Sequence, residues 1–418
     1  MTVLIIGGGA SGLVAAITAR RLGAQVTILE KNPRLGKKIL VTGNGRCNLT
    51  NLNTCPGCYY GATPEFVESI LSQFNAKKTI GFFEKLGIAH KVEDEGKVFP
   101  MSDQASSVLD VLRYEVERTG IDVIYNARVK EIKKRNNIFE LELAESTDSG
   151  KQTIKGDRVI LAAGGKAMPV TGSDGDGFLL AKKLGHTIKE VYPALVPLKL
   201  EGDFFKRIAG VKVLGTAELF DGSKSIAKYR GDILFTNYGV SGPPILQLSG
   251  KAGELMQTKR KAQLRVILID SMSRESLNGM LTRRFHNAVG KTIEFSLVGM
   301  INKRLIPVLL KEAGIKNPKA DVETLTTGEQ EKILDILTDW RFTITGTTSW
   351  PNAQVTAGGV DTWEVEKDTL ESKIIKGLYF AGEVLDVYGA CGGYNLQWAW
   401  SSGFVAGKQA AISKKGTD

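Results

Sequence analysis

Long apolar runs, cysteines and histidines are all scarce in this sequence of 418 residues. The most apolar stretch near the start, Val3 to Ile17, is broken by several glycines and is too short to cross a bilayer, so we predict no membrane span. No basic residue precedes this stretch and no small-residue cleavage pattern follows it, which argues against a secretory signal. We therefore expect a cytoplasmic protein.

The four cysteines, Cys47, Cys55, Cys58 and Cys391, are too few for a disulfide scaffold, so reduced thiols are favoured. Cys55 and Cys58 form a C-x-x-C pair, but no second pair or nearby histidine completes a metal site. We predict no bound metal and favour a loop without a chemical role. The three histidines show no spacing that marks an acid–base catalyst.

Basic residues outnumber acidic ones by 55 to 45, giving a net charge of +10. Residues 251–320 hold 14 Lys/Arg and five Asp/Glu, a difference of nine, so nearly all the excess lies in one stretch. Such a stretch can attract nucleic acid or an anionic substrate. Its charges alternate with apolar residues at helical spacing, so solvated helix faces are favoured and nucleic-acid binding is not expected.

The first thirty residues predict one βαβ unit. Thr2–Ile6 and Gln25–Leu29 are apolar runs typical of buried parallel strands, and Leu13–Leu22 is typical of a helix that ends at Gly23. Further along, strand-like segments dominate from Val196, helical ones from Ser271, and strands return at Arg341. We predict an α/β domain built from both chain ends, with β-rich and helical material inserted between them.

A dinucleotide-binding fingerprint, G-x-G-x-x-G, joins the first strand to the first helix. Gly7 allows the tight turn, Gly9 lets the backbone approach a pyrophosphate, and Gly12 lets helix and strand pack closely. Ala10 and Ser11 open the helix, whose N–H groups suit phosphates. Glu30 ends the second strand, where a carboxylate can accept hydrogen bonds from a ribose diol.

Further segments favour FAD over NAD. A glycine-rich, basic extension follows Glu30, and Val129 follows a strand near which an adenine could be held. Gly164 ends a buried strand, and Gly382 and Glu383 follow the last one. A helix then starts near Asn395, where its N–H groups could face the flavin edge that becomes negative on reduction.

Five segments together resemble the BaiN/RdsA-type family of NAD(P)/FAD-dependent oxidoreductases, which includes aminoacetone oxidase-like flavoproteins. These segments are GGGASGL (7–13), GKKILVTGNGRCNLTN (36–51), TGSDGDG (171–177), FTNYGVSGP (235–243) and GLYFAGEVLDVYGACGGYNLQWAWSSG (377–403). The resemblance implies a Rossmann-like, two-part FAD-binding domain with an inserted β-barrel-like domain that carries a small helical domain. The implied bounds are 1–192 and 357–418 for the FAD-binding domain, 193–270 and 341–356 for the barrel, and 271–340 for the helical insert.

The resemblance and the fingerprint together give a set of candidate residues for FAD binding. They are Gly7, Gly9, Ala10, Ser11, Gly12, Glu30, Lys31, Lys37, Gly43, Val129, Gly164, Gly382, Glu383, Asn395 and Leu396. No catalytic residue can be assigned, but three side chains are candidates for a place beside the flavin: Arg46, Tyr388 and Cys391.

The predicted function is an FAD-dependent oxidoreductase that transfers a hydride between flavin N5 and a small organic substrate. Amine oxidation and enone-type reduction both stay open. No second dinucleotide fingerprint occurs, so we expect reducing equivalents to come either from the substrate or from NAD(P)H as a transient electron donor. One alternative is a thiol–disulfide flavoreductase using Cys47 with Cys55 or Cys58. Another is a nucleic-acid-binding flavoprotein using residues 251–320. The sequence does not set the oligomeric state.

Overall fold

A computed structural model describes residues 1–145, 150 and 152–412. The chain divides into two compact units, one formed by residues 1–193 and 353–418 and the other by residues 194–352. Across the described ranges, no helix combines the length and the apolarity needed to span a membrane.

The strands and helices are numbered in chain order. The strands are Thr2–Ile6 (β1), Gln25–Leu29 (β2), Thr50–Asn51 (β3), Tyr59–Tyr60 (β4), His90–Val92 (β5), Lys97–Pro100 (β6), Asp122–Ile124 (β7), Val129–Arg135 (β8), Ile138–Leu143 (β9), Thr153–Gly156 (β10), Arg158–Leu161 (β11), Ile188–Ala194 (β12), Leu198–Leu200 (β13), Lys212–Asp221 (β14), Lys224–Thr236 (β15), Gly239–Ser241 (β16), Ala262–Ile267 (β17), Trp340–Thr347 (β18), Val355–Val360 (β19), Leu378–Phe380 (β20) and Tyr388–Gly389 (β21). The α-helices are Ala10–Arg21 (α1), Pro64–Gln73 (α2), Ala76–Lys85 (α3), Ala105–Arg118 (α4), Asp176–Lys183 (α5), Phe205–Ile208 (α6), Pro243–Gln257 (α7), Arg274–His286 (α8), Ile293–Ser296 (α9), Ile306–Glu312 (α10), Thr327–Asp339 (α11) and Tyr394–Ala411 (α12).

The first unit is built on a parallel sheet with the strand order β20-β11-β1-β2-β7. The paired strands β1, β2, β7, β11 and β20 all run in one direction. Both faces of this sheet are covered, as in other α/β proteins. The side chains of its strands are therefore buried and mostly apolar. The predicted βαβ unit is present as β1, α1 and β2, and the strand β20 from the end of the chain extends the same sheet.

Smaller sheets surround this centre. The strands β8, β9 and β10 form an antiparallel sheet. The strands β3, β6 and β5 form another, while β4 pairs with β21 and β12 with β19. Through β4 and β21, the segment that follows the glycine-rich loop is joined to the segment that precedes α12.

The second unit contains a closed antiparallel barrel with the order β13-β16-β15-β14-β17-β18. Its apolar interior is continuous with side chains from α8, α10 and α11, so barrel and helices share one hydrophobic core. The structure therefore groups the expected barrel and helical segments as one unit. The helical segment that ends the insert before α11 is divided: α9 ends at Ser296, α10 begins at Ile306, and Pro307 occupies the first turn of α10, where proline is tolerated.

Candidate functional site

A deep cleft opens in the first unit at the carboxyl ends of β1, β2 and β11. Including its open mouth it measures about 1260 Å³, and it lies between the ends of those strands and the starts of α1 and α12. The carboxyl edge of a parallel sheet is where such folds bind ligands.

The three fingerprint glycines have three different environments. Gly7 has a φ of +104°, and a Cβ there would lie 2.5 Å from the carbonyl oxygen of Ala162. A Cβ on Gly12 would collide with the carbonyl oxygen of Gly7. At Gly9, by contrast, a Cβ would meet no atom of the described chain and would enter the cleft. Gly9 therefore leaves open the space that a pyrophosphate needs.

The start of α1 faces the cleft through Ala10 and Ser11. Gly9 caps the helix without a side-chain hydrogen bond, and the first turn carries no acidic residue. The first N–H groups of a helix have no partner within it and carry the positive end of its dipole. This helix start is therefore suited to a phosphate anion.

The Glu30 carboxylate is buried at the cleft wall and held on both oxygens. Oε2 accepts a hydrogen bond from the Gly8 N–H at 2.9 Å. Oε1 accepts two at 2.8 Å, from the N–H and the side-chain amide of Asn32. A carboxylate oxygen accepts about two hydrogen bonds, so Oε2 can still accept one from a ligand hydroxyl. This geometry fits a ribose.

Charged side chains of Lys31, Arg128 and Asp176 line part of the cleft. The Lys31 ammonium lies 2.5 Å from a carboxylate oxygen of Asp174 and 3.1 Å from one of Asp176. Arg128 donates to both oxygens of Asp176, at 3.0 and 2.8 Å. Burial acts to raise the pKa of Asp176, but these hydrogen bonds outweigh it and hold the pKa below its ordinary value. Asp176 is therefore a carboxylate anion that holds the side chains of Lys31 and Arg128 in place.

The neighbouring wall of the cleft contains Val129, Gly164 and Ser173. The Ser173 hydroxyl is buried, and among the described residues its Oγ has no hydrogen-bond partner. A buried hydroxyl without a partner is costly, so such a group at a ligand site indicates that the ligand supplies the partner. The Ser173 hydroxyl without a partner therefore indicates that a polar ligand fits this part of the cleft.

Glu383 and the start of α12 also line the cleft. Glu383 accepts a hydrogen bond from the Thr356 N–H at 2.6 Å and another from the Lys38 ammonium at 2.8 Å. Asn395 and Leu396, in the first turn of α12, also line the cleft.

The Asn395 side chain fixes the loop before α12. Its amide donates to the carbonyl oxygens of Gly389 and Ala390, at 2.9 and 3.1 Å, and its oxygen accepts from the Gly389 N–H at 2.7 Å. The Asn395 side chain therefore orients the loop, and the first N–H groups of α12, which have no partner within the helix, belong to a turn that lines the cleft.

Three predicted cofactor residues do not line the cleft, namely Gly12, Gly43 and Gly382. Each is a glycine for packing reasons. A Cβ at Gly43, where φ is +56°, would lie 2.8 Å from the Asn48 nitrogen, and one at Gly382 would lie 2.5 Å from the Ser11 hydroxyl. These three glycines therefore allow the close packing of the segments around the cleft, without lining it themselves.

The three candidates for a place beside the flavin also lie outside the cleft lining. Arg46 donates to Asp103 at 2.8 Å and pairs with Glu93, while its guanidinium lies 4.0 Å from the ring centre of Phe99. Hydrogen bonds to Glu93 and Asp103 raise the pKa of Arg46. Its charge is therefore already matched by neighbouring side chains.

Tyr388 and Cys391 lie in the segment before α12. The Tyr388 ring packs against Tyr60 with ring centres 5.1 Å apart, and burial raises the pKa of the Cys391 thiol. Cys47 is completely buried, and burial raises the pKa of its thiol to about 12. A thiol held protonated in this way is a poor nucleophile, so a flavoreductase using Cys47 gains no support.

The sequence analysis missed several residues that line the cleft. Asn32, Lys38, Thr42, Ser173 and Gln354 all contribute to its walls. Lys38 lies in the basic extension after Glu30. The sequence analysis therefore predicted that this segment contacts the cofactor, but it did not name Lys38. Ser173 stands in the TGSDGDG segment, but only the structure shows that its hydroxyl lacks a partner.

Residues 1–409 match the model of the HI0933-like protein Rossmann domain. The chain belongs to the HI0933-like family. One relative, 41% identical over 97% of this chain and 98% of its own length, is the 3-dehydro-bile acid delta(4,6)-reductase of Clostridium scindens. Another, 31% identical over 98% of both chains, is the ribosomal RNA dihydrouridine synthase of Escherichia coli.

Among solved structures, the 3-ketosteroid delta1-dehydrogenase of Sterolibacterium denitrificans matches with a TM-score of 0.50 at 12% identity, over 98% of this chain and 99% of that one. At this identity the likeness concerns the fold alone. The resemblance predicted from the sequence motifs is confirmed by the family match. The HI0933-like chain is an oxidoreductase with a Rossmann-type FAD-binding fold, as predicted.

Proposed function

We propose that this HI0933-like protein is an FAD-dependent reductase of carbon–carbon double bonds conjugated to a carbonyl group, acting on steroid-like enones. The observation that carries the proposal is the 41% identity, over nearly the full length of both chains, to a reductase named for a 3-dehydro-bile acid. Between the two reaction types left open by the sequence, this relationship favours enone reduction over amine oxidation. The cytoplasmic location expected from the sequence is part of the same proposal.

The cleft residues have separate roles in this proposal. The start of α1 holds the pyrophosphate, the free lone pair of Glu30 Oε2 accepts from a ribose hydroxyl, and Ser173 Oγ bonds to a polar atom of the cofactor. The start of α12 stabilises negative charge at the edge of the flavin. When bound, FAD supplies the hydride from its N5 atom.

Electrons for the cofactor come from NAD(P)H in this proposal. The sequence contains one dinucleotide fingerprint, and the FAD assignment occupies it. A nicotinamide cofactor would therefore bind transiently and leave before the enone enters, rather than in a domain of its own.

A second candidate is reduction of uridine in ribosomal RNA, because one relative bears that activity in its name. The chemistry is related: the C5=C6 bond of uracil is conjugated to the C4 carbonyl group, as in an enone. The observation in this chain that favours it is the basic stretch 251–320, with its excess of nine positive charges. RNA binding would then depend strongly on salt concentration.

Anaerobic reoxidation of the reduced flavin separates these functions. We would bleach the holoenzyme with NADH or NADPH and then add a 3-oxo-4-ene steroid, the matching saturated 3-oxo steroid, aminoacetone or unmodified ribosomal RNA. The proposal predicts recovery of the yellow absorbance with the unsaturated steroid only, with one reduced product per flavin. Recovery with RNA alone would establish the second candidate. Aminoacetone would also be added to a separate sample of oxidised enzyme. Bleaching of that sample, together with no response of the reduced enzyme to enones, would overturn both candidate functions.

A further inference from the structure

The two cysteines of the C-x-x-C pair, Cys55 and Cys58, face each other across one tight turn. Pro56 opens the turn, and the Cys58 N–H donates to the carbonyl oxygen of Cys55 at 3.0 Å. This backbone bond brings both side chains to one side, with the two Sγ atoms 2.8 Å apart. The two sulfurs therefore stand within reach of bond formation with only a small movement.

The two thiols differ in their surroundings. Cys55 is exposed, whereas Cys58 is partly covered. Burial, followed by the hydrogen bond to Cys55, raises the pKa of the Cys58 thiol to about 11. The attacking species in thiol–disulfide exchange is a thiolate that must also reach its target. Cys55 is therefore the thiol that meets a reagent first, and Cys58 is the second thiol.

Neighbouring residues hold the turn in place. The Cys58 carbonyl oxygen accepts a hydrogen bond from the Ala390 N–H at 2.9 Å. The Tyr59 hydroxyl donates to the carbonyl oxygen of Tyr394 at 3.0 Å. Tyr394 is the first residue of α12, and Asn395 beside it lines the cleft. The pair is thus attached to the element that borders the cofactor cleft.

A metal site does not account for this pair. In the described part of the chain, no cluster of three or more His, Cys, Asp or Glu side chains could hold a metal ion. Two sulfurs on their own are a poor site for zinc, which takes four ligands in structural sites. A dithiol that can be oxidised to a disulfide needs only the two side chains that are present.

We propose that Cys55 and Cys58 form a reversible dithiol–disulfide site that reacts with low-molecular-weight disulfides. The Cys55 sulfur attacks one sulfur of a disulfide RSSR, forming a mixed disulfide and releasing RSH with the proton from Cys55. The Cys58 sulfur then attacks the Cys55 sulfur, forming the Cys55–Cys58 bond and releasing the second RSH with the proton from Cys58. The protein loses two hydrogen atoms, and RSSR is reduced to two RSH. The reaction is independent of FAD.

The experiment uses oxidised glutathione as the disulfide and the holoenzyme as the protein. After incubation, free thiols are alkylated and counted by intact mass and peptide mapping. The wild type should lose two alkylatable thiols and two hydrogen atoms, located at Cys55 and Cys58, and reduced glutathione should restore both. Cys58→Ser should instead accumulate a glutathione adduct on Cys55. Cys55→Ser should react at least tenfold more slowly than Cys58→Ser.

Cys391→Ser is the matched control, because it removes another thiol that is partly covered, as that of Cys58 is. It should still form the Cys55–Cys58 disulfide. Retention of the flavin absorbance checks that each variant is folded. The proposal is overturned if Cys55 and Cys58 both stay alkylatable in the wild type, or if an internal disulfide still forms in Cys55→Ser. Faster adduct formation at Cys58 than at Cys55 would also contradict it.

Discussion

Gly403 in the last helix lies directly against the backbone of Ser11 in the first. A Cβ at position 403 would collide with the Ser11 carbonyl oxygen, and one at position 407 would collide with that of Ala15. One helical turn separates Gly403 from Gly407, so both glycines lie on the same face of α12. This contact joins the two ends of the chain and fixes α12, whose first turn borders the cleft, against α1, whose first turn borders it as well.

Replacing either glycine with alanine should therefore destabilise the protein. We expect Gly403→Ala and Gly407→Ala each to lower the free energy of unfolding by about 1–3 kcal/mol, because overpacking outweighs the gain in helix propensity. Urea unfolding followed by circular dichroism measures this. The control is Gly81→Ala in α3, where a Cβ meets no atom. That change should be neutral or stabilise by about 0.4–1 kcal/mol. Equal effects at positions 81 and 403 would contradict the packing argument.

Replacing Glu30 with glutamine should weaken FAD binding. Glutamine has one acceptor oxygen, whereas the Gly8 N–H and the Asn32 N–H bond to different carboxylate oxygens. One of these donors or the ribose hydroxyl must then lose its acceptor. Hydrogen bonds to charged groups are worth about 1.5–3 kcal/mol, so we expect the Kd for FAD to rise about 10- to 150-fold. Titration of the apoprotein, followed by flavin fluorescence, measures the Kd. Glu68→Gln, an exposed position on α2, should leave it unchanged.

The fingerprint was the most predictable part of this site. Local rules determine it. The turn after β1 needs a glycine at position 7, and glycine is needed at position 12 because a Cβ there would collide with the carbonyl oxygen of Gly7, only five residues away. The position of Glu30 follows from the length of one βαβ unit. A domain built from both chain ends was also predicted, from the strand-like segment before Gly382 and Glu383, whereas the order of the strands in the sheet was not.

Other features of the site depend on distant residues. Arg46 stands in a basic, glycine-rich loop, and nothing in its neighbourhood indicates that Glu93 and Asp103 will pair with it. The pairing of Lys38 with Glu383 joins positions 345 residues apart. Ion pairs of this kind form after the chain has folded, so no local pattern encodes them. Ser173 could not be identified as a ligand contact from the sequence. What marks it is a buried hydroxyl without a hydrogen-bond partner among the described residues, and only the structure shows this.

Removing the Ser173 hydroxyl should affect the holoprotein and the apoprotein differently. In the apoprotein, Ser173→Ala removes a buried oxygen that has no partner among the described residues, so stability should stay the same or rise. If the cofactor supplies the partner, the same change should raise the Kd for FAD about 2- to 12-fold, for a hydrogen bond worth about 0.5–1.5 kcal/mol. Differential scanning fluorimetry with and without FAD gives both quantities.

Thr79→Val is the matched control for Ser173→Ala. The Thr79 hydroxyl is also buried without a partner in the described ranges, but Thr79 lies in α3 and does not line the cleft. Valine keeps the shape of threonine and removes the hydroxyl. FAD binding should be unaffected by this change. If Ser173→Ala likewise left the Kd unchanged, the Ser173 hydroxyl would not contact the cofactor.

A buried histidine should make stability depend on pH. The His186 ring is fully buried, with Nδ1 3.1 Å from Glu364 and Nε2 2.8 Å from the Ser372 hydroxyl. The Ser372 oxygen already accepts the N–H groups of Ile374 and Ile375, so its own proton points to Nε2 and the ring is neutral. Burial lowers the pKa of His186, although the hydrogen bond to Glu364 opposes this shift.

The sign of the pH effect follows from that lowered pKa. The unfolded chain binds a proton at position 186 below about pH 6.5, whereas the folded chain resists it, so stability falls as the pH drops through this range. The slope is at most about 1.4 kcal/mol per pH unit for one proton. His186→Gln should remove this slope, measured by urea unfolding between about pH 5 and pH 7. His286→Gln, at an exposed position, should retain it. A wild-type protein that became more stable on acidification through this interval would show that His186 is charged in the folded state.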